Sequence, residues 1–310
     1  MAARRFTPEQ ITLLRDELTR LARELAPTTV RSLYYQAVLS AALDFITKDT
    51  NGSKSNYTAV QSRVLDLRQE GLIAWESVID SSRTDYSFQR WDEPAGFAQI
   101  APLSYRLDLW SDNPTRPIVL VEKDGQVPVY KDHAQSFGVD VWACKGYGSS
   151  GHLRLLALSI RRYLDAGQQV RVLVGADFDP SGCDWPRAAE SEIRQQLGLS
   201  NSDPDLVFER ELVTYLDVLE LGPAVALRAA NPQDTRTKAW LKEHEFSADT
   251  EAVMEMDAIS PKVARQRMEQ HFRLLYLDDF DEGLGRQQQG RPRGPACGCC
   301  GGVQHLRFPV

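Results

Sequence analysis

The sequence has few cysteines and no long apolar run. Five cysteines in 310 residues, three of them crowded near the C-terminus, do not make a disulfide framework. No apolar stretch reaches the length of about 18 residues that a membrane-spanning helix needs. The first ten residues include two arginines but no apolar core of a signal peptide. We therefore expect a protein of the reducing cytoplasm that has no membrane partner.

The chain also lacks an excess of positive charge. It has 36 Lys and Arg against 43 Asp and Glu, a formal net charge of −7. This balance argues against a uniformly basic nucleic-acid-binding surface. Charge is uneven, however, because the segment from Arg286 onward contains arginines and no acid. Metal-binding acids are neutralised when the metal is present, so the net charge does not exclude DNA binding.

Two short apolar stretches each end in acids: Ile118–Lys123 and Val170–Asp179. Such β-branched runs, bounded by turn residues, indicate buried parallel strands. Acids at the carboxyl ends of strands lie where open α/β sheets place their active sites. Glu122, Asp177 and Asp179 are therefore candidate ligands of one or two metal ions. An all-oxygen set favours Mg²⁺, for which Mn²⁺ can substitute. The alternative is a set of solvated loop acids.

The residues at the end of the second apolar stretch are expected to place two acids side by side and then to turn into a helix. Asp177 and Asp179 are two residues apart, so on an extended backbone they point the same way. Pro180 ends the strand, and Gly182 is expected to permit the turn into a helix.

The first 83 residues predict three helices followed by a small β-wing, the order of a winged-helix domain. Helices are expected over 7–26, 30–45 and 56–71, and strands over 72–75 and 78–80. Arg63 and Arg68, on the outer face of the third helix, are candidate DNA contacts. The alternative is that they lie on a solvated helix face.

Two adjacent tyrosines lie in the second of these helices. Tyr34 falls on the apolar stripe and is expected in the core, whereas Tyr35 falls off it and is expected to face outward. Arg31 lies one turn before Tyr35, on the same face. A guanidinium beside a phenol can stabilise a phenolate or the phosphate that it attacks. An ordinary surface tyrosine is the alternative.

A glycine-rich loop, Lys145–Gly151, separates a strand predicted at 139–144 from a helix predicted at 152–166. It contains the spacing of a dinucleotide-binding loop, but the acid expected about twenty residues later is poorly supplied. We therefore expect no bound nucleotide. Lys145 and the backbone N–H groups at the helix start are better suited to a nucleic-acid phosphate.

These patterns divide the chain into a winged-helix domain (1–83), a connector with a helix near 95–110 (84–116), an α/β domain with a helical C-terminal elaboration (117–283) and a disordered tail (284–310). Residues 214–275 are predicted to be mostly helical and to provide packing and dimer surface. The Cys297, Cys299, Cys300 and His305 of the tail do not have the spacing of a usual zinc site.

Together these motifs resemble one family. Glu122-Lys123, Lys145-Gly146-Tyr147 and Asp177-Phe178-Asp179-Pro180-Ser181-Gly182 are similar to the Toprim domain of the topoisomerase VI A subunit and the meiotic double-strand-break transesterase. Arg31-Ser-Leu-Tyr34-Tyr35 resembles that family's winged-helix motif, whose second tyrosine is the nucleophile. The chain is shorter than a usual A subunit and looks more like the compact, stand-alone Mini-A type.

The resemblance implies an N-terminal winged helix followed by a Rossmann-like Toprim domain. It also implies a Mg²⁺-dependent transesterase in which Tyr35 forms a 5′-phosphotyrosyl double-strand break and Arg31 steadies the phosphate. By the same resemblance Glu122, Asp177 and Asp179 hold Mg²⁺.

The resemblance further implies partners and DNA contacts. Lys123 or Lys145 contacts phosphate, and a homodimer grips double-stranded DNA, with the tyrosine of one subunit at the metal site of the other. The expected location is the nucleoid. The sequence contains no ATP-binding domain, so strand passage would require a separate ATPase subunit of the B type.

Two other functions stay open. One is a Toprim nuclease that hydrolyses DNA with a metal-bound water and uses Tyr35 only structurally. The other is a winged-helix DNA-binding protein without catalytic turnover.

Overall fold

The computed structural model describes residues 6–48, 55–79, 93–94, 107–144, 150–225, 227–276 and 280–281. Several predictions fall outside this part of the chain: most of the helix near 95–110, the strand residue Asp80, the loop with Lys145, and the tail from 284 onward. The described part is a mixed α/β structure with a parallel sheet, which confirms the predicted class.

The described elements are as follows. The helices are α1 (Pro8–Leu25), α2 (Val30–Leu39), α3 (Ser55–Gln69), α4 (Val127–Ser136), α5 (Ser150–Asp165), α6 (Pro180–Leu197), α7 (Tyr215–Val225), α8 (Thr237–Glu243) and α9 (Pro261–Leu275). The strands are β1 (Thr28–Thr29), β2 (Val78–Ile79), β3 (Thr115–Val121), β4 (Asp140–Ala143), β5 (Gln169–Gly175), β6 (Leu206–Leu212), β7 (Arg228–Ala229) and β8 (Glu251–Val253).

The N-terminal helices form a core that is continuous with the sheet. A capping box between Thr7 and Gln10 starts α1 and satisfies backbone N–H groups that would otherwise lack partners. The buried side chains of α1–α3 belong to the same apolar cluster as Val119, Val121 and Leu173 on one face of the sheet. The helical region therefore packs directly on the α/β region.

The predicted β-wing differs from the observed structure. Residues 72–75 are not a strand, because the N–H groups of Leu72 and Ile73 both bond to the carbonyl of Leu67 and close the end of α3. The strand Val78–Ile79 does form, but it pairs in parallel with Thr28–Thr29, just before α2. Pairing with a distant segment depends on tertiary packing, which a local pattern cannot reveal.

The main sheet has the strand order β4-β3-β5-β6, and all its pairs are parallel. All four strands were predicted. The helix after β3 packs on one face, where α4 and α9 cover Val119, Val121 and Leu173. The helices after β4 and β5 pack on the other face, where α5 and α6 cover Ile118 and Val172. Neighbouring strands β3 and β5 therefore lead into helices on opposite faces.

The segment from 214 to 275 is not only helical. It includes the strands β7 and β8, which pair in an antiparallel ladder. Beyond β8, Met254 exchanges both backbone hydrogen bonds with Phe178, at 2.8 and 3.0 Å. This bridge brings the turn that follows β8 to the end of β5. Among the described residues, no helix has the length and apolar character needed to span a bilayer.

Candidate functional site

The acids predicted after β3 and β5 lie at the topological switch point of the sheet, where two neighbouring strands lead to helices on opposite faces. Because β3 and β5 are neighbours whose following helices go to opposite faces, a crevice opens at their carboxyl ends. Glu122 follows β3 and Asp177 follows β5 by two residues. The backbone N–H of Asp177 donates to Glu122 Oε2 at 3.1 Å, so the two acids share this crevice.

Asp177 is the most engaged of these acids. Its Oδ2 accepts from Lys123 Nζ at 2.7 Å, and its Oδ1 accepts from the backbone N–H of Met256 at 2.8 Å. The Asp177 side chain is 12% exposed. In this conformation its charge is therefore balanced by Lys123, and its geometry is tied to the turn after β8.

Asp179 has a separate structural role. It is the N-cap of α6, and its Oδ1 accepts from the N–H of Gly182 at 2.6 Å. Gly182 was expected to permit a turn, but the reason for a glycine here is a close approach. A Cβ at this position would lie 2.2 Å from the carbonyl oxygen of Asp177. The motif therefore packs the start of α6 against the backbone of Asp177.

Two further acids, Glu255 and Asp257, approach the same crevice and were not singled out from the sequence. They lie in and beside the turn Met256–Ala258, which packs on α2. Asp257 accepts from Thr29 Oγ1 at 3.3 Å and lies 3.6 Å from Arg31 Nε, while Glu255 also pairs with Arg31. An acid-x-acid spacing directly after a short strand was the available signal, and it repeats the pattern of Asp177 and Asp179.

Tyr35 does not face outward as predicted. Its exposure is 3%, compared with 5% for Tyr34. The prediction was wrong because α2 is covered on two sides: α1 and α3 pack on one, and the Met256–Ala258 turn and α7 pack on the other. Gln36, the next residue, donates to the carbonyl of Ala258 at 3.1 Å. A single apolar stripe could not reveal this second contact surface.

The surroundings of Tyr35 are nevertheless charged. The pKa of Tyr35 is raised to about 12, chiefly by burial and also by Asp257 and Asp177, while the Arg31 guanidinium opposes the rise. The ammonium of Lys48 lies 5.6 Å from the centre of the Tyr35 ring. The phenol is thus within electrostatic range of both the cations and the acid cluster.

The crevice carries an excess of negative charge. Burial raises the pKa of Glu122, and Asp177 and Asp179 raise it further, while Lys123 lowers it. Burial also raises the pKa of Asp257, against the opposing influence of Lys123 and Arg31. Lys123 and Arg31 therefore offset the negative charge only in part.

The chemistry of the donors fits Mg²⁺, but the described arrangement holds protein cations. Glu122, Asp177 and Asp179 offer only carboxylate oxygens, the ligands that Mg²⁺ prefers. Within the described residues, one oxygen of Glu122 and one of Asp179 accept no hydrogen bond, whereas both oxygens of Asp177 do. Each oxygen of Asp177 can accept a second interaction, so a metal could bind without loss of the Met256 N–H, but its charge would repel the Lys123 ammonium.

A cleft of about 560 Å³ opens between the N-terminal helices and this crevice. Its lining includes three predicted site residues, Arg31, Arg68 and Lys123, together with Asp257. Arg68 stacks at 4.3 Å over the ring of Trp75 and donates to the Trp75 carbonyl at 2.6 Å. Arg63 is not part of the lining; it pairs with Asp66 on its own helix. Three of the proposed cationic contacts thus face one cleft, and Arg63 does not.

Comparisons of the chain with protein-family models, curated proteins and solved structures find no match.

Proposed function

We propose that this protein is a Mg²⁺-dependent DNA-cleaving transesterase of the topoisomerase VI A type, with Tyr35 as nucleophile. The observation that carries the proposal is convergence. The segment with Arg31 and Tyr35 packs against the Met256–Ala258 turn, and that turn is bonded to Asp177 at the crevice of the sheet. Residues from three distant parts of the sequence, each with a proposed role in phosphoryl transfer, therefore meet at one place.

The finer fold assignment is part of this proposal. Residues 1–83 correspond to a winged helix with a reduced wing, supported by the order of α1, α2, α3 and β2. Residues 117–283 correspond to a Toprim domain, supported by the parallel sheet and by the acids at its topological switch point. The cleft that contains Arg31, Arg68 and Lys123 is the proposed surface for double-stranded DNA.

In the proposed reaction the Tyr35 oxygen attacks a backbone phosphorus, and the 3′-oxygen of the neighbouring nucleotide leaves. A 5′-phosphotyrosyl ester forms, and the reverse reaction reseals the strand. Arg31 orients the phosphate. The phenol proton passes to water or to a carboxylate of the acid cluster as the ester forms. Mg²⁺ held by Glu122, Asp177 and Asp179 would stabilise negative charge on the phosphate.

The burial of Tyr35 has a consequence for this mechanism. A phenol with 3% exposure cannot reach the phosphate of a duplex. Cleavage therefore requires α2 to separate from the Met256–Ala258 turn, with loss of the Arg31 contacts to Glu255 and Asp257. Those acids hold Arg31 until a phosphate replaces them.

The decisive experiment is covalent trapping. Supercoiled plasmid, protein and Mg²⁺ are incubated, quenched with detergent, and analysed with and without protease. Protein-linked breaks are expected from the wild type and from the matched control Tyr34→Phe, and none from Tyr35→Phe. Linked breaks that persist in Tyr35→Phe would contradict the assignment of the nucleophile.

Mixing two inactive variants tests the dimer. If the tyrosine of one subunit acts at the acids of the other, Tyr35→Phe mixed with Asp177→Asn restores protein-linked nicks, because one of the two sites is complete. If Tyr35 acts beside the acids of its own chain, the mixture stays inactive. Relaxation of supercoiled plasmid, measured with and without ATP and an ATPase subunit, tests strand passage separately from cleavage.

A second candidate is supported by the same burial. If Tyr35 is only a core residue, the acid cluster would hydrolyse DNA with a metal-bound water. Free DNA ends that carry no protein, formed equally by the wild type and Tyr35→Phe, would establish this nuclease instead.

A further inference from the structure

A second group of metal-ligand side chains lies on the edge strand of the sheet. Glu209 and Glu211 are two residues apart on β6, so they project from the same face. That face is covered by α9, which places His271 between them. His271 Nε2 lies 3.1 Å from Glu209 Oε2, and His271 Nδ1 lies 2.9 Å from Glu211 Oε1.

The spacing suits a single cation. One carboxylate oxygen from each glutamate and one ring nitrogen lie within 4.8 Å of one another, and no other trio of His, Cys, Asp or Glu in the described residues does so. A cation with bonds of about 2.1 Å holds its ligand atoms roughly 3.4 Å apart in a tetrahedral site. Since Glu209 faces Nε2 and Glu211 faces Nδ1, a single cation requires one glutamate to turn toward the ring nitrogen that the other glutamate faces.

Each ring nitrogen of His271 faces a carboxylate: Nε2 is sealed from solvent opposite Glu209, and Nδ1 lies opposite Glu211. Burial lowers the pKa of His271, but its contacts with Glu211 and Glu209 outweigh burial and raise it. The side chain as a whole is 16% exposed. A cation bound at one of these nitrogens would take the place of the ring proton, so its binding would release a proton.

A neighbouring arginine holds one of the two glutamates in position. Arg171 Nη1 donates to Glu209 Oε1 at 3.0 Å, which leaves Oε2 directed at His271. Supporting hydrogen bonds of this kind orient carboxylates that bind metals. Because the two glutamates favour the protonated ring of His271, a divalent cation would bind here in place of the ring proton.

We propose that Glu209, Glu211 and His271 form a binding site for a divalent transition-series cation such as Zn²⁺ or Mn²⁺. An imidazole with two carboxylates favours these metals over Mg²⁺, which prefers oxygen ligands alone. The site is separate from the acid cluster and independent of the proposed cleavage reaction. Its three ligands leave a position for water.

The metal would stabilise the helix that joins the two halves of the molecule. Six residues before His271, Arg265 of α9 donates to the carbonyls of Leu25 and Pro27, at 2.9 and 3.0 Å, and of Val129 at 3.2 Å. A cation that fixes α9 on β6 therefore also fixes the contact of α9 with the end of α1. The proposed role is structural.

The test uses Co²⁺ as a spectroscopic probe on full-length protein freed of metal by chelation. We expect a visible Co²⁺ absorption spectrum from this site, displaced by Zn²⁺, and a rise in the midpoint of thermal unfolding. Binding should weaken at least about tenfold in Glu211→Gln and disappear in His271→Ala. Asp177→Asn should bind Co²⁺ at this site as the wild type does.

The matched control is His133→Ala, because His133 also lies near α9 but faces only one acid, Glu269, at 3.9 Å. This control should retain the Co²⁺ spectrum. Circular dichroism in chelator separates folding defects from lost ligands, and Glu209→Gln offers a second variant if His271→Ala does not fold. Absence of a Co²⁺ spectrum in the wild type, or an unchanged spectrum in both His271→Ala and Glu211→Gln, would overturn the proposal.

Discussion

The two carboxylate groups of this protein differ in position and in what balances their charge. The group at the crevice follows the ends of β3 and β5, contains only oxygen donors, and is opposed by Lys123 and Arg31. The group on β6 lies within an edge strand, contains an imidazole, and is opposed by Arg171. Lys123 and Asp257, beside the first group, line a cleft, whereas the second group is half-buried beneath α9. Location thus separates a candidate reaction centre from a candidate structural clamp.

The largest expected effect is on DNA cleavage, when a carboxylate is neutralised at the crevice but not when one is neutralised on β6. Asp177→Asn should lower Mg²⁺-dependent formation of protein-linked DNA breaks by about a hundredfold or more, because it removes a proposed ligand and the partner of Lys123. Glu211→Gln should leave cleavage at 25 °C nearly unchanged. Quantified trapping on plasmid measures both. Equal losses in the two variants would show that the groups do not act separately.

A smaller effect is expected from crowding the crevice through its backbone. Gly182→Ala places a methyl group 2.2 Å from the Asp177 carbonyl and should lower the free energy of unfolding by about 1–3 kcal/mol. It should also impair cleavage while sparing Co²⁺ binding at His271. Denaturant unfolding measures the first effect.

The control for this variant is Gly151→Ala at the start of α5, where a Cβ meets nothing within 4 Å. That substitution should be neutral or slightly stabilising. A Gly182→Ala variant as stable as Gly151→Ala would contradict the observed close approach.

The smallest expected effect is a dependence of the stability of the folded protein on pH. Burial and neighbouring acids raise the pKa of Glu122 above its usual 4.5, so the folded state binds its proton more tightly than the unfolded state. The stabilising contribution is complete below the unfolded pKa and is lost as the pH rises through the folded pKa. Glu122→Gln removes this dependence and can still accept the N–H of Asp177.

Thermal melts between pH 4 and 8 measure this effect. The midpoint of Glu122→Gln should exceed that of the wild type increasingly as the pH rises, and Mg²⁺ should narrow the gap by offsetting the wild-type charge. A gap that narrows with rising pH in the absence of metal would mean that Glu122 is stabilised as a carboxylate.

Much of the fold follows from local patterns. The four strands of the main sheet are short apolar runs between turn residues, and their helices follow ordinary periodicity and caps. The acids after β3 and β5 share a crevice because parallel strands align their carboxyl ends at one edge. These features are predictable, since they depend on residues close in sequence and on one general rule of sheet topology.

Other features depended on contacts between distant segments. The pairing of Val78–Ile79 with Thr28–Thr29 left no wing of the expected form. The contribution of Glu255 and Asp257 was missed because the backbone bridge between Phe178 and Met254 brings their turn to the crevice. The partnership of His271 with Glu209 and Glu211 likewise depends on how α9 crosses the sheet edge.

The sequence by itself determined the mixed α/β class and the strand ends that carry Glu122 and Asp177. Hydrogen bonding, periodicity and strand direction act locally, so these features can be recognised in the chain. Only the tertiary structure decided that Tyr35 is buried, that Arg31 is held by Glu255 and Asp257, and that an imidazole joins two glutamates on β6. Each feature depends on which distant segment packs against a helix or strand, and that packing is set by the tertiary structure as a whole.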